Sequence, residues 1–584
     1  MDAPNAKKNS HFFQTHRLIL VLGILSAAFF LLYKSYFLQT KQIPLFGNAP
    51  EFFLELRSAD RFAKCGFLHS LFLPDYNTTN NCDDAPVVYT HMPAGPSIVL
   101  GLLRVNNVSA AGTRIVFAIF SYLGVLAFAY FIYILFNSAA AAILASLYLI
   151  SSFENFLLWS DHFVHSFYWL TLFGALIFAT SKSDKKIAKV GLFFCTLLAF
   201  ATNYFCAISI VISLLFIALI KRGKKDKINI SITALAGGIY LSFHAIRNII
   251  FLGYNAAWQD ITATLTNRIW GYPSRAALKS FYAKNNIVLW GVEKSSKSTL
   301  IIQWISEFSI DNLILLMIFI VFFCKAVLTR NKKTVIHLTI ISTTILGIFS
   351  WYIFLNAMGK FYYLPYVFHT ASALLMATAI ACISDEINSA IHWIKANTFT
   401  PTLPGALIGI ALFVIIEFSF LANSPITDLK NYASYFYMPS KKISEKILSK
   451  QETINVLLTA FDALSKIGAD KVIWTNIDAT IVRYYSPAIA IGSCTPQAFE
   501  QTNSEDCYGV FLSNEGEARK LARTPNYFFI SSELLHGTMT CGISCISAFA
   551  QKISTKLPLI ASGTNWWLFA ADKLKKKKQN SNKY

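Results

Sequence analysis

Apolar residues in this chain come in blocks of about twenty, separated by short polar stretches in which lysine and arginine cluster. A helix of twenty residues rises about 30 Å, the thickness of a bilayer's hydrocarbon core, so a block of that length reads as a membrane span. Such blocks cover 17–38, 113–136, 138–157, 165–181, 188–203, 204–220, 228–252, 309–325, 334–356, 364–383 and 404–422. The first exceeds the apolar core of a signal peptide and has no small-residue cleavage site, so it reads as a retained anchor. The pattern predicts a polytopic α-helical membrane protein of about eleven transmembrane helices.

Beyond residue 423 the pattern changes. Short apolar runs (KVIWTN, AIAIGS, YGVFLS, NYFFIS, PLIAS, WWLFAA) alternate with helix-like stretches such as NEGEARKLAR. This alternation predicts a small C-terminal α/β domain over 423–570, and the lysine-rich end at 571–584 reads as a disordered tail. Residues 1–422 then form the transmembrane domain. No internal repeat, P-loop or GxGxxG fingerprint occurs.

Composition agrees with the span pattern. Of 584 residues 55% are hydrophobic and 14% charged, and the mean hydropathy is +0.48, too apolar for a soluble protein of this size. The 51 Lys+Arg against 31 Asp+Glu do not point to nucleic acid, because the basic residues fall in clusters between spans. Lys7, Lys8 and Arg17, Lys182 to Lys189, KRGKKDK at 221–227, Lys325 to Lys333 and Lys395 all lie on one side. Positive-inside makes that side cytoplasmic. The loops 39–112, 158–164 and 253–308, and everything after about 423, are then exported.

Cysteine usage changes this picture only by supporting it. Cys65, Cys82, Cys494, Cys507, Cys541 and Cys545 fall in exported segments, an even number that permits disulfides. Cys65–Cys82 is the expected bridge of the first loop. Cys195, Cys206, Cys324 and Cys382 lie in or at the ends of spans and read as free thiols. No spacing suggests a zinc or redox site, and no residue set demands a metal, although a divalent cation is compatible with the carboxylates below.

Candidate chemistry concentrates in two places. In the first loop, Asn48-Ala-Pro-Glu51 opens an amphipathic helix carrying Glu51, Glu55 and Asp60, with Phe52, Phe53, Leu56 and Phe62 expected against the membrane. A carboxylate there suits a general base; equally, Glu51 fits a helix cap and Asp60 a pair with Arg57 or Lys64. The second place is Trp159-Ser-Asp161-His162-Phe-Val-His165, wedged between two spans, where ionisable side chains are costly and point to function.

The order of these features resembles the GT-C glycosyltransferases, in particular the glycosyltransferase family 39 type that includes protein O-mannosyltransferases and the aminoarabinose transferases of lipid A. Glu51 stands about fifteen residues before Gly66, as the family's acidic residue stands before a helix-ending Gly. The turn Tyr89-Thr-His91-Met-Pro93-Ala-Gly95-Pro96 looks like the family's Pro-rich turn ahead of the second span, and Asp161 matches the Asp that opens the fourth. The family's usual Asp, often Asp-Glu, is here Pro50-Glu51.

The resemblance implies a GT-C-like fold and an inverting hexosyl or pentosyl transfer in a bacterial inner membrane. The donor would be a polyprenyl-phosphate sugar and the acceptor a lipid, glycan or protein. Tyr89, His91, His162 and His165 then become candidate substrate contacts. A lipid phosphate leaving group needs fixed positive charge, for which Arg268, Arg275 and Lys360 are candidates, and Arg247 sits near the end of its span. A transporter or flippase for polyprenyl-linked glycans is the competing class. It predicts charged or broken helices at the midplane in two repeated halves, and this sequence has no such repeat.

Overall fold

The computed structural model describes residues 21–31, 33, 49–77, 82–91, 93–151, 163–181, 186–270, 285, 310–354, 364–394, 459–468 and 471–475, together with short segments between 482 and 570. Among these the chain is mostly helical. The helices are α1 (Val21–Leu31), α2 (Ala49–Cys65), α3 (Gly95–Val105), α4 (Ala110–Phe136), α5 (Ala139–Ser151), α6 (Tyr168–Thr180), α7 (Lys186–Thr202), α8 (Tyr204–Lys221), α9 (Lys224–Leu252), α10 (Tyr254–Trp270), α11 (Ile310–Leu328), α12 (Lys332–Phe354) and α13 (Leu364–Ile394).

The expected spans between 113 and 383 each coincide with one helix, from α4 through α9 and from α11 through α13. Within the described residues, α4, α8, α9 and parts of α12 and α13 are long and apolar enough to cross a membrane. The expected span 404–422, the tail 571–584 and the four C-terminal cysteines lie outside the described residues. Two adjacent spans expected at 188–220 are separated by Asn203, whose side-chain oxygen accepts from the amides of Phe205 and Cys206 and so restarts the helix as α8. The bundle closes around α13, in which every residue from 367 to 382 is buried. The expected exported loop 253–308 begins as a helix. Gly253, at φ 79°, turns the chain sharply from α9 into α10, a backbone conformation that side chains with a Cβ rarely adopt.

In the C-terminal region five short strands form one sheet: β1 (Val472–Thr475), β2 (Ile489–Ile491), β3 (Tyr527–Ser531), β4 (Leu559–Gly563) and β5 (Trp566–Ala570). The order is β2-β1-β3-β5-β4. β1 is parallel to β2 and β3, while β5 runs antiparallel to β3 and β4. Each strand falls on one of the apolar runs of the sequence.

The amphipathic α2 does not lay its apolar face on the membrane. Phe52, Phe53 and Leu56 are fully buried and Phe62 is 1% exposed. The first three join one apolar core with Phe117, Phe163 and Phe167 on the bundle side and Phe461, Phe529 and Trp566 on the C-terminal side. Helix amphipathicity specifies that a face is buried, not what buries it. Here protein covers both sides, so no lipid contact is left for those rings.

Candidate active site

The segment between α2 and α3 is held by three sets of contacts. Cys65 and Cys82 form the expected disulfide. Asp75 is the hub of the second set. Its Oδ2 accepts from Arg61 Nε at 2.8 Å, its Oδ1 accepts from the amides of Asn77 and Val87, and both side chains of the ion pair are 2% exposed. A buried carboxylate paired in this way fixes the backbone around it.

The third set involves the candidate carboxylates themselves. Glu55 accepts from Tyr76 OH at 2.9 Å on one oxygen and from Ser97 Oγ at 2.6 Å on the other. Asp60 pairs with Arg104 Nε of α3 at 2.6 Å, not with Arg57 or Lys64 of its own helix. The partner lies across the α2–α3 interface, where the two helices pack face to face. Burial lowers the pKa of Arg57 from its ordinary value, opposed by the charges of Asp60 and Asp75. Glu51 lies in the first turn of α2, and its side chain is outside the described residues.

The Pro-rich turn enters the bundle where α7 ends. Gly95 packs so closely on the Ala201 carbonyl that a Cβ at this position would collide with it. This contact sets Tyr89, Thr90 and His91 against α9 and α10. His91 Nε2 meets Asp260 Oδ1 of α10 at 2.5 Å, with side-chain exposures of 7% and 2%. Tyr89, 2% exposed, puts its ring edge on His91 at 5.3 Å.

One turn up α9, His244 Nε2 donates to the Thr90 carbonyl at 2.9 Å. Arg247 donates through Nη1 to the Phe72 carbonyl at 3.2 Å and through Nη2 to His244 Nδ1 at 2.6 Å. Arg247 is 4% exposed and Asn248 2%. Among the described residues Arg247 has no ion pair, and Arg247 Nε, Asn248 Oδ1 and Thr90 Oγ1 have no hydrogen-bond partner.

His165 is buried (4% exposed) and faces Asn203 Nδ2 at 3.4 Å and the Phe205 ring. The adjoining Tyr204 lies edge-on to His244, with ring centres 6.2 Å apart. The turn carrying His165, the α7–α8 break, the Pro-rich turn and the end of α9 therefore adjoin one another. His91, His165 and Tyr89 from the sequence analysis belong to this junction. Asp161, His162, Arg275 and Lys360 lie outside the described residues, as does the side chain of Arg268, which sits on α10.

The structure aligns with the apo crystal structure of ArnT from Cupriavidus metallidurans at a TM-score of 0.51 and 10% identity, covering 95% of this chain and 98% of that one. The chain has the ArnT fold. A crystal structure of ArnT from the same organism bound to undecaprenyl phosphate aligns at a TM-score of 0.48 and 12% identity, over 94% and 97% of the two chains. No family model matches the sequence, and no curated protein matches it. The mostly helical architecture and the C-terminal sheet expected from the sequence are both observed, within a fold shared with ArnT.

Sequence reasoning had Arg247 only as a cation near a span end, and it missed His244 and Asn248. A signal for them exists. His244, Arg247 and Asn248 stand at i, i+3 and i+4 on one face of an otherwise apolar helix, a placement that costs stability unless something binds there.

Proposed function

We propose that this protein is a membrane glycosyltransferase of the GT-C type that takes a sugar from a polyprenyl-phosphate donor. The observation that carries the reading is Arg247: a buried guanidinium at a junction of loop and bundle that, among the described residues, has no carboxylate partner and meets only neutral groups, the Phe72 carbonyl, the His244 ring and the Tyr240 hydroxyl. A buried unpaired cation is strongly unfavourable, and a phosphate supplies the missing charge with the planar geometry that arginine prefers. The shared fold with ArnT is consistent with this chemistry.

In the proposed reaction an acceptor hydroxyl of a lipid, glycan or protein attacks the anomeric carbon from the side opposite the phosphate. The new C–O bond forms as the sugar–phosphate bond breaks, its electron pair leaves on the polyprenyl phosphate, and the hydroxyl proton passes to Glu51 or Asp161. The anomeric configuration inverts. Arg247 neutralises charge developing on the leaving phosphate, the role in which fixed donors contribute most. Arg268, Arg275 and Lys360 are further candidates for the same task. Membrane lipids surround the spans of residues 1–422, and residues 423–570 form a domain on the exported, periplasmic face of a bacterial inner membrane.

The test is transfer by purified protein in proteoliposomes, supplied with polyprenyl-phosphate-linked hexoses and pentoses and with extracted envelope lipids and glycans as acceptors. Product is read by mass. Arg247→Leu is expected to lower turnover by about 10²- to 10³-fold. Full turnover in that variant removes Arg247 from the reaction. Movement of donor lipid across the vesicle membrane without product would instead support a flippase.

A further inference from the structure

We infer that His244 is a positioning residue that aims the Arg247 guanidinium, and that it does so only as the neutral tautomer protonated on Nε2. The inference rests on Arg247 holding the donor phosphate, as proposed above. Arginine carries five N–H donors and no acceptor, so the histidine nitrogen 2.6 Å from Nη2 must present a lone pair. That nitrogen is Nδ1. Nε2 therefore bears the proton and donates to the Thr90 carbonyl at 2.9 Å. A backbone carbonyl of the first long loop thus chooses the tautomer, and the tautomer turns its lone pair to Arg247. The ring itself is held by stacking on Tyr240, 6.1 Å away and inclined by 19°, and by the edge of Tyr204.

The same tautomer dictates the orientation of Asn248. Its Nδ2 lies 3.3 Å from His244 Nε2, and both nitrogens carry hydrogens. Turning the amide over gives up its long 3.5 Å bond to the Thr90 carbonyl, lets its oxygen accept from the His244 N–H and leaves the amide N–H group without a partner. The groups of the junction left without a partner are then Arg247 Nε–H, the Thr90 and Tyr240 hydroxyls and the Asn248 amide N–H. All four can donate, the set that an anion requires.

Protonating Nδ1 removes the only acceptor that His244 offers Arg247 and sets two cations together. The groups facing His244 are Arg247 and Tyr240 on its own helix, Tyr204 on α8, His91 on the loop and Asp260 on α10. Asp260 is engaged by His91, so the incoming charge meets no uncommitted carboxylate among them. Phosphate binding should therefore weaken as pH falls.

The experiment measures the Kd of undecaprenyl phosphate for the purified full-length protein in detergent between about pH 3.5 and 8, with thermal melting as a control for folding. The probe's own protonation is common to every variant, so the comparison between variants isolates the protein. His244→Asn retains an acceptor near the Nδ1 position and cannot be protonated. It is expected to bind within about threefold of the parent at neutral pH and to lose the parent's extra weakening toward acid. His244→Leu is expected to bind about tenfold more weakly, the effect of losing one hydrogen bond to a charged group. An unaltered acid limb in His244→Asn overturns the inference, as does unaltered binding in His244→Leu. If His244→Leu does not fold, the His244→Asn profile decides alone. Arg247→Leu separates the two levels: tight binding in that variant refutes the phosphate reading itself, whereas loss there with no effect at His244 refutes only the positioning role.

Discussion

His91 and Asp260 are 169 residues apart in the chain and meet at 2.5 Å, almost wholly shielded from solvent. The pair ties the Pro-rich turn to α10, so it fixes the distance between the first long loop and the end of α9. Removing one member strands the other, which typically costs about 3–5 kcal/mol for a buried pair. Asp260→Leu should therefore lower the melting temperature sharply in detergent. The double variant His91→Leu/Asp260→Leu should recover part of that loss, because no charge is left unpaired. Additive losses in the double variant would mean that the contact carries no coupling.

The Cys65–Cys82 bridge closes a separation of 17 residues and clamps the end of α2 to the segment leading into the Pro-rich turn. In the chain-entropy description such a loop contributes about 3 kcal/mol. Peptide mapping without reduction should find the two cysteines linked, and Cys65→Ser/Cys82→Ser should unfold at a lower temperature than the parent. Alkylation of Cys65 in the unreduced protein would contradict the bridge.

How much of this was legible depends on the range of the signal. Helices α4 to α9 follow from apolar blocks of about twenty residues, and β1 to β5 follow from apolar runs, because both are local patterns. The face of α2 was legible, but its partner was not: Phe52 and Phe53 are buried by residues far away in sequence, such as Phe163 and Phe461. Asp60 shows the same limit, since Arg104 is 44 residues on while Arg57 and Lys64 are the neighbours that spacing suggests. His244 is marked in the sequence only by its spacing to Arg247 and Asn248. Its role comes from the Thr90 carbonyl, and a backbone oxygen leaves no mark in the sequence.

Glu55 and Asp60 sit on one helix in different settings, so their variants should differ. Both Glu55 oxygens already accept from hydroxyls. Glu55→Gln offers one acceptor oxygen to two donors and should cost about 1–3 kcal/mol of stability. Asp60 and Arg104 are 32% and 23% exposed in their side chains, and a half-exposed pair of this kind contributes at most about 1 kcal/mol. Asp60→Asn should melt close to the parent and retain its turnover. Calorimetric or fluorescence melts of the two variants, read beside transfer activity, check this. An Asp60→Asn variant that folds normally yet is inactive would move the chemistry to that carboxylate.

Glu51 is the carboxylate that we propose takes the acceptor proton. It stands in the first turn of α2, and the residues after it on that helix are committed: Glu55 to Tyr76 and Ser97, and Asp60 to Arg104. Glu51→Gln keeps the size of the side chain and its capacity to accept a hydrogen bond, and loses only the charge and basicity. If Glu51 is the base, turnover should fall by about 10²- to 10⁴-fold, while the melting temperature and the Kd for undecaprenyl phosphate stay near the parent values. Asp161→Asn should behave alike if the two share the acceptor. Separating the readouts is what makes the test sharp: lost turnover with retained phosphate binding places Glu51 at the proton transfer, whereas lost binding assigns it to holding the donor. Unchanged turnover in both variants would remove catalysis from these carboxylates, and the flippase reading would then account better for a buried Arg247.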